Sequence, residues 1–169
     1  MNLDTGTLNL DLNSVRSGSS RASFELPMEH IDWGIDDVRP SGPDGILDLT
    51  VIARGMTWVC RGSLSAEFET QCARCLEPAH FPVDAEVYRI FTWDEELATD
   101  LDTELISRNE GEVSILDAVR EAIILSVPGM LLCRKDCRGL CAICGTNLNI
   151  TDCEHSGVSG PQDSSSERE

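Results

Sequence analysis

The sequence has few basic residues, with 13 lysines and arginines against 30 aspartates and glutamates, and its formal net charge is -17. A field of that sign repels phosphate backbones, so extended direct binding to nucleic acid is the weaker hypothesis. The same field attracts basic partners, among them ribosomal proteins and other cationic RNA-binding chains. The alternative interpretation is that the charge only keeps the protein soluble.

Long apolar runs and targeting segments are also missing. The first residues contain neither a basic segment nor an apolar one, so we expect no signal peptide and no transit peptide. No stretch is long and apolar enough to span a bilayer, so we expect a cytoplasmic protein without a membrane partner. In a reducing cytoplasm, eight cysteines are more often metal ligands than disulfide partners.

Signatures of catalysis are absent as well. The sequence contains no phosphate-binding glycine loop, no histidine-glutamate motif of zinc proteases and no evident nucleophile set, so we expect that it is not an enzyme. His30 and His80 stand alone, away from any motif. Trp33, Trp58 and Trp93 are scattered, which favours core positions over a stacking platform for bases.

Alternating apolar residues predict strands in the first part of the chain. Leucines occupy every second position within Thr7–Val15, which is typical of a half-buried strand, and glycine and serine at 18–20 are expected to break it. Alternation resumes over Ile46–Ala53. The runs Met56–Gln71 and Phe81–Phe91 predict a hairpin, and Cys72 and Cys75 lie at its tip.

A helix is predicted after an acidic run at 94–104 that we interpret as a solvated loop. Ser114 is expected to cap the helix, and Pro128 and Gly129 to end it. Its apolar stripe recurs at intervals of four residues: Ile115, Val119, Ile123 and Val127.

The predicted fold class is α+β, a small antiparallel β-rich domain with one main helix and a zinc-ribbon-like cysteine module. Residues 1–21 are predicted to form an N-terminal strand and loop that join the sheet, and 22–130 the β-rich core with hairpin and helix. Residues 131–155 form the cysteine-rich zinc module. The serine- and glutamate-rich end, 156–169, is predicted to be disordered.

The cysteine spacing indicates metal binding. Two cysteines separated by two residues across a tight turn can direct both sulfurs at one ion, and Gly145 suits such a turn because it has no Cβ. Cys60 stands alone within a strand and is set aside as a core residue. The remaining candidate ligands suffice for two four-coordinate sites: Cys72, Cys75, Cys133, Cys137, Cys141, Cys144, Cys153 and His155.

Several arrangements of these ligands remain open. One joins Cys72 and Cys75 to the cysteines at 133 and 137, and leaves a second set at 141–155; another is a single site that joins Cys72 and Cys75 to Cys141 and Cys144. Zinc, one or two ions, is the expected metal, and an iron-sulfur cluster uses the same thiolates. A thiol redox role would need a low-pKa cysteine at a helix N-terminus in a βαβ pattern, which the sequence does not show.

A short basic stretch interrupts the acidity beside the cysteines. Arg134, Lys135 and Arg138 could contact RNA or phosphate, or could belong to a solvated loop. They are the candidates for a direct RNA-binding zinc module.

The chain resembles the YceD-like family in two motifs with a helix between them. The motifs are Cys72-Ala73-Arg74-Cys75-Leu76-Glu77-Pro78 and Cys137-Arg138-Gly139-Leu140-Cys141-Ala142-Ile143-Cys144-Gly145-Thr146-Asn147-Leu148-Asn149. The resemblance runs from about Gly62 to His155. It implies a protein without known catalysis that supports accumulation of large-subunit ribosomal RNA. His155 stands where the family often has a cysteine and still ligates zinc, and Ala142 stands where proline is frequent.

Charge and resemblance together predict a ribosome-biogenesis accessory protein with a zinc-stabilised scaffold. Its expected partner is a basic large-subunit ribosomal protein or a pre-ribosomal particle. A direct RNA-binding zinc module and a thiol redox protein are the two alternatives.

Overall fold

The computed structural model describes residues 1–98 and 102–155, and the chain divides into two units. Unit 1 comprises Met1–Glu69 and His80–Pro128, and unit 2 comprises Thr70–Ala79 and Gly129–Glu169. The predicted disordered end, 156–169, lies outside the described residues. The four predicted segment boundaries stay predictions.

The described elements are mostly strands: β1 (Asn2–Asp4), β2 (Asn9–Asp11), β3 (Gly18–Pro27), β4 (Arg39–Pro40), β5 (Asp44–Arg54), β6 (Thr57–Gln71), β7 (Pro78–Thr92), β8 (Thr103–Leu105) and β9 (Glu112–Ser114), with one α-helix, α1 (Leu116–Ser126). Six strands form the larger sheet in the order β3-β5-β6-β7-β8, and β4 pairs with β6. The pairs β3·β5 and β5·β6 are antiparallel, and β7·β8 is parallel. The architecture confirms the predicted α+β class.

Strict alternation of buried and exposed residues defines the larger sheet. On β5, the odd-numbered residues from Gly45 to Ala53 are buried, while their neighbours are exposed or half-buried. The predicted hairpin is confirmed, because β6 and β7 are neighbours in the sheet. Phe68 of β6 is completely buried and contacts Trp33 edge-on and Phe81 face-on, with ring centroids 6.3 Å and 6.2 Å apart. This face of the sheet therefore forms the core of unit 1.

The first strand ends before residues 18–20, but the strand that begins at these residues was not predicted. These residues begin β3, which pairs along its full length with β5, from Gly18 opposite Ala53 to Pro27 opposite Asp44. β3 lies at the sheet edge, where small polar residues can face solvent, so local sequence gave little signal for it.

The predicted first strand corresponds to β2, which belongs to a second, three-stranded sheet of order β1-β2-β9. Strand β2 is shorter than the predicted Thr7–Val15, because Leu8 has a positive φ of 56° and a 3-10 turn begins at Leu12. The alternation of buried side chains nevertheless holds, and Leu8, Leu10 and Leu12 are all buried.

Helix α1 begins one residue later than a Ser114 cap implies. Its N-cap is Ile115, and the Ser114 hydroxyl accepts a hydrogen bond from the Leu116 backbone N–H at 3.2 Å. The helix ends at Ser126 because Val127 precedes Pro128 and takes an extended conformation. Within the described residues, no helix has the length and apolarity needed to cross a membrane.

Candidate metal centre

The first cysteine pair lies in a tight turn that we call knuckle 1, residues 72–77. The backbone N–H of Leu76 donates to the carbonyl of Cys72 at 3.0 Å, and the N–H of Cys72 donates to the carbonyl of Glu77 at 2.8 Å. Leu76 takes a left-handed conformation with φ of 62°. These two hydrogen bonds curl the chain so that both cysteines face the same side.

The second pair lies in knuckle 2, residues 141–146, which repeats this hydrogen-bond pattern at equivalent positions. The N–H of Gly145 donates to the carbonyl of Cys141 at 2.9 Å, and the N–H of Cys141 donates to the carbonyl of Thr146 at 2.8 Å. Gly145 has φ of 73°. The left-handed position is therefore glycine in one knuckle and leucine in the other.

This difference predicts opposite effects of substitution at the two equivalent positions. Gly145→Ala should destabilise unit 2 by about 1–2 kcal/mol, because an L-residue at positive φ costs that much and no atom near Gly145 would clash with a Cβ. Leu76→Gly should be neutral or stabilise it by up to about 1 kcal/mol, because the strain is relieved and the side chain is largely exposed. Urea unfolding of the metal-loaded protein, followed by circular dichroism, measures both.

Gly129→Ala is the control for these variants, because Gly129 lies in open space without a positive φ. It should leave the unfolding midpoint unchanged. Equal losses in all three variants would contradict the assignment of strain to the left-handed positions.

Knuckle 1 contributes two of the four sulfurs in the first donor group, which consists of Cys72, Cys75, Cys133 and Cys137. The four sulfurs lie within 4.8 Å of one another. The sulfurs of Cys72 and Cys137 are 3.7 Å apart, and those of Cys75 and Cys133 are 3.5 Å apart. Four sulfurs at 2.3 Å from one tetrahedral ion would be separated by about 3.8 Å, so this group has the size of a single-ion site.

Apolar side chains surround the first donor group on its inner side. Cys72, Cys75 and Cys137 are buried together with Ala79, and three leucines pack against them: Leu131, Leu132 and Leu140. Cys133 is exposed. The group therefore lies at the edge of a small core, with one ligand position towards solvent.

The second donor group consists of Cys141, Cys144, Cys153 and His155, with ligand atoms that also lie within 4.8 Å of one another. The Nδ1 atom of His155 is buried and has no hydrogen-bond partner in the part of the chain that the structure describes. A buried ring nitrogen without a partner is costly unless another group binds it. A metal ion held by three sulfurs and this histidine would satisfy the nitrogen.

Hydrogen bonds to the sulfurs favour the thiolate, the form that binds metal, at three of the cysteines, and they lower the pKa of Cys137 as well as those of Cys72 and Cys144. Burial raises the pKa of Cys72, but hydrogen bonds from the backbone of Cys133 and Arg74 outweigh burial and lower the pKa to about 6. The hydroxyl and backbone of Thr146 lower the pKa of Cys144 to about 6. The Thr146 hydroxyl oxygen lies 3.2 Å from the Cys144 sulfur.

Cys60 differs from these thiols. It is completely buried in β6, and burial raises the pKa of its thiol to about 12. It belongs to neither donor group. Its surroundings therefore keep the thiol protonated as part of the core of unit 1.

Two residues that support the first group were not singled out as site residues in the sequence. The Asn149 side chain donates to the Cys137 sulfur at 3.4 Å and accepts from the Arg138 backbone N–H at 2.8 Å. Arg74 donates from Nη1 to the Cys137 carbonyl at 2.9 Å. Both lie in the family-like motifs, but sequence spacing could not show that Asn149, which follows knuckle 2, serves the other donor group.

The predicted RNA-contacting residues are largely engaged within unit 2. Arg138 forms a 2.6 Å ion pair with Asp152, and Arg134 lies 3.6 Å from a carboxylate oxygen of Asp136. Arg134 also donates to the Asn149 side chain at 2.9 Å. Lys135 is exposed and forms no ion pair among the described residues.

The structure thus brings all eight candidate ligands into two groups of four. This is the arrangement in which Cys72 and Cys75 join Cys133 and Cys137, and knuckle 1 and knuckle 2 do not share one site.

His30 and His80 belong to neither group, and His80 is an exposed residue 3.7 Å from Glu69. Trp58 and Trp93 contact each other edge-to-face at 4.9 Å. The pKa of Cys72 is low, but neither group lies at the start of α1, so the helix N-terminus expected of a redox thiol is not found in the described residues.

Comparison with known proteins identifies relatives in mycobacteria. A Mycobacterium leprae protein, named as uncharacterized, is 30% identical over 134 residues, which are 78% of this chain and 58% of the relative. Uncharacterized proteins of Mycobacterium bovis and Mycobacterium tuberculosis are 32% identical over 105 residues, 60% of this chain and 50% of theirs. The chain therefore spans about half the length of the curated relatives it matches.

No solved structure matches the chain. The family model described as "Large ribosomal RNA subunit accumulation protein YceD" matches residues 60–166, a range that begins in β6 and includes all eight candidate ligands. The chain belongs to the YceD family.

Proposed function

We propose that this protein is a ribosome-biogenesis accessory protein that supports accumulation of large-subunit ribosomal RNA in the cytoplasm. Each of the two donor groups holds one zinc ion, and the ions stabilise unit 2. Unit 1 binds a basic large-subunit ribosomal protein, or a pre-ribosomal particle that exposes one. Family membership supports the ribosomal context.

The distribution of charge is the observation that carries this choice of partner. Unit 1 contains 23 of the 30 acidic residues and 8 of the 13 basic ones, a net charge of -15. Residues 70–79 and 129–155 of unit 2 contain four of each and are neutral. The acidic surplus therefore belongs to unit 1, which is suited to a cationic protein surface.

Zinc is favoured by the donor atoms and their spacing. Sulfur and imidazole nitrogen are the ligands of structural zinc sites, and Cys₄ and Cys₃His are among their usual compositions. A multi-iron cluster binds its thiolates through different irons, which holds the sulfurs farther apart than the 4.8 Å limit found in both groups. The spacing supports one ion in each group.

Complete protein coordination supports a structural role for the ions. Four protein donors close a tetrahedral site, whereas a catalytic zinc keeps one position open for water or substrate. Asn149 orients a ligand of the first group, as hydrogen-bond partners of metal ligands commonly do. The residues of unit 2 hold and shape the sites, and no step of a reaction is assigned to them.

The ion pairs of Arg134 and Arg138 weigh against the alternative of an RNA-binding zinc module. Both guanidinium groups already have carboxylate partners in unit 2, Asp136 and Asp152. Phosphate binding there would have to displace these partners. The third basic candidate, Lys135, can neutralise only one phosphate, and a single such contact gives RNA binding with little salt dependence.

Binding of purified basic large-subunit ribosomal proteins tests the proposal. The variant Asp48→Asn/Asp84→Asn/Glu86→Gln neutralises three carboxylates on strands of unit 1, and it should weaken binding about tenfold at low salt. The control Asp136→Asn/Asp152→Asn/Glu154→Gln makes the same change of charge in unit 2 and should not weaken binding. Isothermal titration calorimetry at two salt concentrations measures both.

The proposal fails if the protein ignores every basic large-subunit protein and binds structured ribosomal RNA tightly instead. If changing Arg134, Lys135 and Arg138 to glutamine then abolished RNA binding, the direct RNA-binding alternative would replace it.

A further inference from the structure

A cavity of about 420 Å³ lies in unit 1. Four separate segments line it: residues 12–16 at the 3-10 turn, residues 55–58 at the β5–β6 turn, Trp93 after β7, and residues 108–111. Ligand-binding pockets in proteins commonly have volumes of roughly 300–1,000 Å³. The cavity is therefore large enough for the end of a peptide.

Two arginines on its wall, Arg16 and Arg108, belong to the acidic unit but have no carboxylate partner among the described residues. Arg16 and Arg108 form no salt bridge within the described residues, and Nη2 of Arg108 lies 3.8 Å from the sulfur of Met56. Arg89 and Arg120 of unit 1 do have carboxylate partners, Glu121 and Asp117. Other arginines of unit 1 have no ion pair among the described residues either, so what Arg16 and Arg108 share is their place on the wall of this cavity. The cavity thus presents two guanidinium groups that are free to bind an anion.

A tryptophan pair forms the apolar part of the wall. Trp58 is buried and donates from its indole N–H to the Val15 carbonyl at 2.8 Å, which fixes the ring. Trp93 contacts Trp58 edge-to-face and is only partly buried. Trp93 therefore offers an apolar surface, with a buried indole N–H that has no acceptor among the described residues.

We propose that this cavity binds the C-terminal carboxylate of a basic peptide, with the carboxylate between Arg16 and Arg108 and the last side chain against Trp93. Guanidinium groups bind carboxylates through paired hydrogen bonds, and amide side chains such as that of Asn13 can pair with the peptide backbone. The inference rests on the proposed function, since it specifies which part of a basic partner unit 1 recognises.

The surrounding charge selects this ligand over a free anion or a nucleotide. Unit 1 carries a net charge of -15, which repels a phosphate group but attracts a chain whose other residues are basic. Glu110 also lines the cavity, and its carboxylate accepts the Ser107 backbone N–H at 2.9 Å. A wall with both signs of charge suits a ligand that carries an anionic end on a cationic chain.

The test uses a short lysine-glycine peptide that ends in leucine, prepared with a free C-terminal carboxylate and with a C-terminal amide. The full-length, metal-loaded protein should bind the free acid at least about tenfold more tightly than the amide in calorimetry. Arg16→Gln/Arg108→Gln should abolish that difference. Arg39→Gln, a change at an exposed arginine outside the cavity, should preserve it.

Two further measurements distinguish the sources of the anion, and a third tests the position of the last side chain. An amidated peptide with glutamate before the leucine should not recover the affinity of the free acid; recovery would overturn the choice of the chain end. Adenosine monophosphate should not compete with the free acid, and tight binding of this nucleotide would overturn the peptide. Trp93→Leu should weaken binding of the leucine-ended acid more than that of a glycine-ended acid.

The outcomes separate this inference from the proposed function. If the acid and the amide bind equally and the Asp48/Asp84/Glu86 variant weakens both, unit 1 still recognises basic chains and only the cavity assignment is wrong. If neither the peptides nor the basic ribosomal proteins bind, both proposals fail.

Discussion

Replacing Cys137 with serine is expected to remove one of two zinc ions and to destabilise unit 2. The Cys137 sulfur is buried, lies 3.7 Å from that of Cys72 and accepts a hydrogen bond from Asn149. A hydroxyl binds zinc much more weakly than a thiolate, and the substitution leaves three sulfurs in the first group.

We expect unit 2 to depend on bound metal, because it has little other means of stability. Its described residues, 70–79 and 129–155, number fewer than about 40, a size at which chains usually need a metal or a disulfide to fold. The apolar residues around the first group are few, and all eight cysteines are free of disulfides. The binding free energy of a structural zinc ion is then also folding free energy.

Metal content by mass spectrometry on anaerobically purified protein measures this prediction, together with circular dichroism. Cys153→Ser should remove the other zinc ion, and Cys60→Ala, which changes a thiol outside both groups, should retain two. Loss of both ions in each ligand variant would contradict two separate sites. Absence of zinc from the unmodified protein would contradict the proposed cofactor altogether.

Replacing Phe68 with alanine is expected to lower the free energy of unfolding of unit 1 by about 3–5 kcal/mol. The ring is completely buried, and it contacts the rings of both Trp33 and Phe81. Truncation loses the free energy gained by burying the ring away from water, together with its aromatic contacts. It also leaves a cavity that rigid strands can close only in part.

Urea unfolding followed by tryptophan fluorescence measures this loss, because Trp33 is in contact with the ring. Tyr88→Ala is the matched control: Tyr88 is 45% exposed on β7, so its truncation should cost less than about 1 kcal/mol. Zinc content should stay at two ions in both variants, since both residues belong to unit 1. A loss at Phe68 no larger than at Tyr88 would contradict its place in the core.

Several elements were predictable because their signal is local. The hairpin of β6 and β7 follows from long runs of alternating β-forming residues, and the end of α1 follows from Pro128, which cannot continue a helix. β3 was missed because its small polar residues form a strand only when β5 lies beside them. The left-handed conformation of Leu76 was not predicted, because leucine rarely adopts a positive φ. At Gly145 the residue type itself indicates that conformation.

The sequence by itself determined the chemistry of the candidate metal centre and the net charge, because ligand type and charge are properties of the residues and of their spacing. The tertiary structure decided which ligands meet. Cys72 and Cys75 lie about sixty positions before Cys133 and Cys137, and only the folded chain brings their sulfurs within 4.8 Å. It also placed Asn149 on the first donor group and gathered Arg16, Trp93 and Arg108 at one cavity, since contacts between distant segments depend on packing and not on spacing.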